Sequence, residues 1–175
     1  MKIITIAFFF LFIAFQLLSN NLQISNVSLA GQNTGSDYVM VEFDLSWENS
    51  WRTDNLNGDG VENWDAVWLF VKYRKHSDDK WYHAVLNTTA GNHSCGSGTD
   101  ASFSPASDGT GVFVYRSENG SGSFIQTNIQ IRWDYGSQTG DGAVGDALNC
   151  DIQVFGIEMV YVPEGTFWMG STEGD

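Results

Sequence analysis

Ile125, Thr127, Ile129, Ile131 and Trp133 alternate with Gln126, Asn128, Gln130, Arg132 and Asp134. Successive side chains of an extended chain point to opposite faces, so this run predicts a strand with one dry and one wet side. The pattern recurs upstream. Val39, Val41, Phe43, Leu45 and Trp47 alternate with Tyr38, Met40, Glu42, Asp44 and Ser46. A chain that repeats this period, with Gly, Asn, Ser and Asp between the runs, can bury its apolar sides only by packing sheet against sheet.

Taken in order, the runs predict about seven strands. Leu22 to Leu29 forms the first, with a bulge at Ser25-Asn26. The Tyr38 to Trp47 run is the second. Trp64 to Lys75 is apolar on both sides in its middle, which suits a central strand. Trp81 to Leu86 returns as its hairpin partner after a turn at Asp78-Asp79. A long polar loop, 87–111, precedes a short strand from Val112 to Tyr115. Ile125 to Trp133 and Asp151 to Val162 complete the set, separated by a Gly/Asp loop. No amphipathic helix interrupts them. The expected fold is an all-β, antiparallel β-sandwich, Ig-like or jelly-roll in topology.

The N-terminus differs from the rest. Met1-Lys2 is followed by an apolar run from Ile3 to Phe15 and then a polar flank. That is the layout of a secretory signal-peptide helix, residues 1–19, with cleavage expected after Ser19. A transmembrane helix needs roughly 20 apolar residues, more than this run offers. Residues 20–161 then form the sandwich module, in a secreted, periplasmic or cell-surface location. No membrane contact is expected once the leader is gone. In an exported chain, Cys95 and Cys150 either close one disulfide or stand as two thiols. Closing so long a loop would contribute roughly 4 kcal/mol in the chain-entropy account.

The formal net charge of −13 removes one class of function. Nucleic acid demands a basic footprint, and this chain has none. Two other classes stay open. Asn55-x-Asn57-x-Asp59-Gly60, with Asp65 beyond it, has the oxygen spacing of a calcium loop. Position twelve, counted from Asn55, is Ala66 rather than Glu, so the loop is not an EF-hand. It is either a calcium site of another kind or an Asn/Asp/Gly turn. Trp47, Trp51, Trp64 and Trp81 fall at strand ends or loops, where stacked rings can hold an extracellular glycan; Trp68 and Trp133 are expected in the core. Glu42 and Asp44 share a strand face but look like ordinary solvated acids. No nucleophile elbow, phosphate loop or Cys-x-x-Cys is present, so no catalytic residue is assigned.

Met159-Val160-Tyr161-Val162-Pro163-Glu164-Gly165-Thr166-Phe167-Trp168-Met169-Gly170-Ser171 resembles the entry into the formylglycine-generating-enzyme, or sulfatase-modifying-factor, domain. It departs at Glu164, where that family usually has Gly. Trp47 to Arg52 and Asn63 to Arg74 look like an N-terminal module that precedes such domains in secreted bacterial proteins. The resemblance implies that 162–175 opens a covalently continuous domain of that family. Its active members oxidise a sulfatase cysteine with a reactive cysteine pair and copper. Those residues lie deep in the domain, so Cys95 and Cys150 do not map onto them. The expected role is an exported, non-catalytic module for positioning or recognition, contacting a glycan or a surface protein. The alternative is a carbohydrate-binding module in its own right, with calcium as a possible cofactor.

Overall fold

The computed structural model describes residues 20–54, 62–97 and 100–160. The expected leader and the expected start of a following domain at 162–175 lie outside these residues. The described residues are all-β, with nine strands and every pairing between them antiparallel. They are β1 (Gln23–Asn33), β2 (Tyr38–Asp54), β3 (Glu62–Lys75), β4 (Trp81–His83), β5 (Ser94–Ser97), β6 (Ala101–Pro105), β7 (Val112–Arg116), β8 (Gly120–Trp133) and β9 (Cys150–Val160). Short 3-10 turns fill the segment between β8 and β9.

Six strands follow one hydrogen-bonded path, β5-β8-β2-β3-β7-β6, with β1 added beside β2 and β4 and β9 beside β3, and the whole curls over to form a sandwich. Its first layer runs β1-β2-β8-β5. In its second layer β3 is central, with β9 on one side, β7 and β4 on the other, and β6 outside β7. The layers join where the end of β2 pairs with the start of β3, Arg52 opposite Trp64. They meet again where Leu86, just past β4, bridges Trp133 of β8. Each of the pairs β2–β3, β5–β6 and β7–β8 places one strand in each layer, a jelly-roll-like nesting.

The core lies between the layers. Val39, Val41, Phe43, Leu45 and Trp47 of β2 face Val67, Leu69, Val71 and Tyr73 of β3, and all are buried. Trp133 joins them, packing on Tyr73 with ring centroids 4.8 Å apart. The alternation of β2 therefore predicts its share of the core directly, whereas β3, apolar on both sides in its middle, does not declare in sequence which side faces inward.

Three departures from strict alternation matter. The pairing register slips at Ser25/Ser28 in β1, as the sequence suggests, and also at Trp47/Ser50 in β2 and opposite Phe43/Leu45 in β8. Asn26, Asn49 and Asn128 sit at these slips with φ of 55°, 57° and 52°. Asn tolerates the left-handed region because its short polar side chain bonds locally. The β1 and β8 bulges flank one residue. Asp44 accepts the Asn26 amide at 2.6 Å and the Asn128 backbone N–H at 2.9 Å. Each bulge inverts which residues face inward.

The β8 bulge corrects the expectation for that strand. Ile125 is 67% exposed, while Phe124 and Gln126 point into the core. Two short strands also stand where a long loop is expected. Ser94–Ser97 is small and polar and carries no apolar period; Ala101–Pro105 does alternate, with Ala101, Phe103 and Pro105 against Ser102 and Ser104, but over only five residues inside a polar stretch.

Candidate functional site

The β2 bulge builds the site. Up to Trp47, odd-numbered residues of β2 face the core. The extra residue at Glu48-Asn49 shifts the count, so Ser50 is buried and Trp51 turns outward. Bulges re-aim side chains in this way. Trp51 then lines a cleft of about 410 Å³ with Arg52, Thr53, Asn119, Gly120 and Ser121. The cleft sits between the end of β2 and the turn that enters β8.

A buried polar chain holds the bulge. Asp65 of β3 is 1% exposed. Its Oδ1 accepts the Ser50 hydroxyl at 3.0 Å and the Trp51 backbone N–H at 2.9 Å. Its Oδ2 accepts the Trp47 indole N–H at 2.6 Å. Ser50 in turn accepts Arg116 Nε at 3.1 Å. The Arg116 guanidinium also donates to Asp100 at 2.6 Å and to the carbonyls of Gly122 and Ser123. A buried carboxylate and a buried guanidinium are thus relayed through one hydroxyl, and each is saturated by further partners. Arg52 donates to the carbonyls of Arg116 and Ser117 and pairs with Glu62 at 3.2 Å. It pins the start of the turn that carries Asn119 and Ser121.

The four expected ligand-binding tryptophans do not converge. Trp47 is a correction: it is 1% exposed and packs on Phe124 inside the sandwich, ring centroids 4.1 Å apart and planes tilted by 30°. Trp64 stacks on Tyr115 at 4.4 Å, on the outer side of the second layer. Trp81 lies under the Arg74 guanidinium. Trp51 differs from both: among the described residues no ring or cation stacks on its indole. Trp68, expected in the core, instead packs on Phe113 at 4.6 Å on that same outer side.

Of the expected calcium ligands, Asn55, Asn57 and Asp59 lie outside the described residues. Asp65 is described, and three protein donors already occupy its carboxylate. Among the described residues no group of three or more His, Cys, Asp or Glu gathers as for a metal ion. No bridge joins Cys95, on β5 of the first layer, to Cys150, which opens β9 of the second. Burial pushes the Cys150 thiol up from its ordinary value.

His93 is 5% exposed. Its Nδ1 accepts the Arg132 backbone N–H at 3.3 Å, so Nε2 carries the proton and donates to the Asn87 carbonyl at 2.9 Å. Burial holds its pKa below the ordinary value of 6.5. It is a structural, neutral imidazole.

The sequence signal that reveals the cleft is the Asn49 within Trp47-Glu48-Asn49-Ser50-Trp51, an αL-tolerant residue inside a strand. Compared with protein-family models, curated proteins and solved structures, the chain finds no match.

Proposed function

We propose that the chain is an exported, non-catalytic recognition module that takes a neutral carbohydrate in the Trp51 cleft. The observation that carries this reading is the unstacked, outward-turned indole with amide and hydroxyl groups beside it. A pyranose offers a flat face of C–H groups, weakly positive, which packs on the electron-rich face of an indole. Asn119, Ser121 and Thr53 supply donors and acceptors for ring hydroxyls. The acidic chain disfavours an anionic sugar. A volume of about 410 Å³ suits a small-ligand subsite. Asn55, Asn57 and Asp59 follow Thr53 closely in sequence, so binding at the cleft is tested for dependence on calcium.

The test is a glycan array probed with the purified chain, with calcium and with EDTA. Neutral glycans should bind, and Trp51→Ala should lose the signal at least tenfold while Trp81→Ala keeps it. Retained binding in Trp51→Ala, or no neutral glycan bound at all, would remove the proposal.

A second role is supported by the resemblance of the 159–171 stretch to the opening of a formylglycine-generating-enzyme domain. The module would then hold that domain at a glycan-bearing surface. Sequencing the reading frame past Asp175 tests this: absence of such a domain sinks it.

A further inference from the structure

Among the described residues Asn119 alone is an asparagine followed directly by glycine. That pairing has a chemistry of its own. The backbone nitrogen of the second residue can close a five-membered ring on the side-chain carbonyl of the first. A side chain on the second residue crowds the approach, and glycine has none. The fold then decides the outcome through the freedom of the amide and of the peptide beside it. Asn119 has both. It sits in the exposed bend that joins β7 to β8, and among the described residues its amide has no hydrogen-bond partner. Other surface asparagines are tied: Asn26 donates to Asp44 at 2.6 Å, Asn87 to Asp134 at 2.7 Å and Asn92 to Asn87 at 2.9 Å. Gly120 opens β8, and its pairing with Arg52 is the last of the β2–β8 ladder, where strands fray first. A Cβ at Gly120 would lie no nearer than 4.0 Å to any group beyond its chain neighbours, the closest being the Arg116 guanidinium. The space around this peptide is open.

We propose that Asn119 is a self-modifying site, and that its conversion shuts the Trp51 cleft with age. The Gly120 backbone nitrogen, its proton lost to solvent base, attacks Asn119 Cγ. The N–Cγ bond forms, the Cγ–Nδ2 bond breaks, and Nδ2 takes up a proton and leaves as ammonia. Water then opens the cyclic imide. Opening at Cγ leaves aspartate; opening at the backbone carbonyl leaves isoaspartate, with the main chain running through Cβ and Cγ. The balance is asparagine plus water to acid plus ammonia, and no oxidant or metal enters. The consequence rests on the carbohydrate reading of the cleft; the chemistry does not. Isoaspartate lengthens the main chain by one carbon just before Gly120, at the end of the ladder that sets Ser121 opposite Trp51 and Gly122 opposite Ser50. Either product replaces an amide, donor and acceptor both, by a carboxylate that only accepts. Asn119 lines the cleft, so a neutral sugar loses a donor there. With isoaspartate it also loses the wall that Ser121 provides.

Ageing the purified chain in mildly alkaline buffer tests it. Peptide mass spectrometry follows the one-dalton gain at Asn119, with the Asn57-Gly58 peptide followed separately. Wild type should convert at least about tenfold faster than Gly120→Ala, while Asn87, whose amide is tied, keeps its mass. The alanine Cβ has room, so slower conversion in that variant reports lost access of the nitrogen rather than a distorted turn. Binding of a neutral glycan, each protein referred to its own fresh signal, should decay with the isoaspartate fraction in wild type and hold steady in Gly120→Ala. Hydrogen exchange over 120–123 should quicken in aged wild type. An unchanged mass at Asn119, or equal rates in wild type and Gly120→Ala, would overturn the proposal. Conversion that leaves both binding and exchange as in fresh protein would overturn its effect on the cleft. If fresh chain binds no neutral glycan, the carbohydrate reading alone fails, and mass and exchange still decide this one.

Discussion

Replacing Asp65 with Asn isolates what the buried carboxylate does at nearly constant volume. Asn can keep an oxygen toward the Ser50 hydroxyl and the Trp51 N–H. Its amide nitrogen must then face the Trp47 indole N–H, where the wild type has a 2.6 Å bond. Two donors oppose each other, and both are buried. A buried donor left without an acceptor costs about 1–3 kcal/mol, and hydrogen bonds to a charged acceptor contribute about 1.5–3 kcal/mol. An overall loss of about 3 kcal/mol is expected from these ranges. With a urea slope of about 2 kcal/mol per molar, the unfolding midpoint should fall by about 1.5 M. Trp47→Phe removes the opposing indole donor. In a double-mutant cycle the pair should therefore be less destabilised than the sum of the single changes by about 1 kcal/mol or more. A midpoint for Asp65→Asn within about 0.3 M of the wild type would refute the account of this network, because no reasonable slope could hide the loss. A cycle with no coupling would also count against it.

Other consequences are open to measurement. The folded pKa of His93 is depressed, so below about 6.5 the unfolded chain takes up a proton that the folded chain refuses. Stability at His93 is thus present above pH 6.5 and lost as pH falls toward the depressed value; His93→Gln should flatten the melting temperature between pH 7 and 5, and an unchanged slope would show that another group titrates. Asp44 is held below its ordinary 3.8 by the Asn128 backbone N–H and then by Asn26, so its contribution disappears only at more acid pH, seen as a smaller acid-denaturation step in Asp44→Asn. Both cysteines should react with a thiol reagent after unfolding without reductant, and in the folded chain Cys95 should react before buried Cys150; fewer than two thiols would indicate a bridge. A Cβ at Gly111 would clash with the Trp68 ring and meet the Leu69 carbonyl at 2.7 Å, so Gly111→Ala should destabilise by about 1–3 kcal/mol in chemical denaturation.

The sequence is most informative where one side of a strand must be dry. The β2 residues before Trp47 lie where alternation puts them, because a one-residue error there would bury Glu42 and Asp44. The middle of β3, apolar on both sides, gives no such signal, and Trp68 falls on the outer side. It is least informative at single-residue slips. Asn26, Asn49 and Asn128 are alike in type, and other Asn residues in strands or turns make no bulge. What selects these three is their partner across the sheet, and in two cases that partner is Asp44, remote in sequence. Hence Ile125 reads as core and is exposed, and Trp47 and Trp51 read alike and are separated. Strands β5 and β6 stay hidden for another reason: β5 is built of Ser, Cys and Gly at a layer's margin, and the alternation of Ala101, Phe103 and Pro105 in β6 is too short to stand out from the polar residues around it.

Along β2, the residue at Asn49 acts like a change of parity. Before it, odd positions are interior; after it, even positions are. Core and cleft are thus written on one continuous strand but counted from different origins. Loss of a single residue between Trp47 and Ser50 would restore one count throughout, draw Trp51 inward and leave the cleft without its ring. No point substitution at the cleft reproduces that effect. For a chain of this design, gain and loss of the surface are matters of length as much as of side-chain identity, and small insertions or deletions in β2 are where divergence between related modules should be sought.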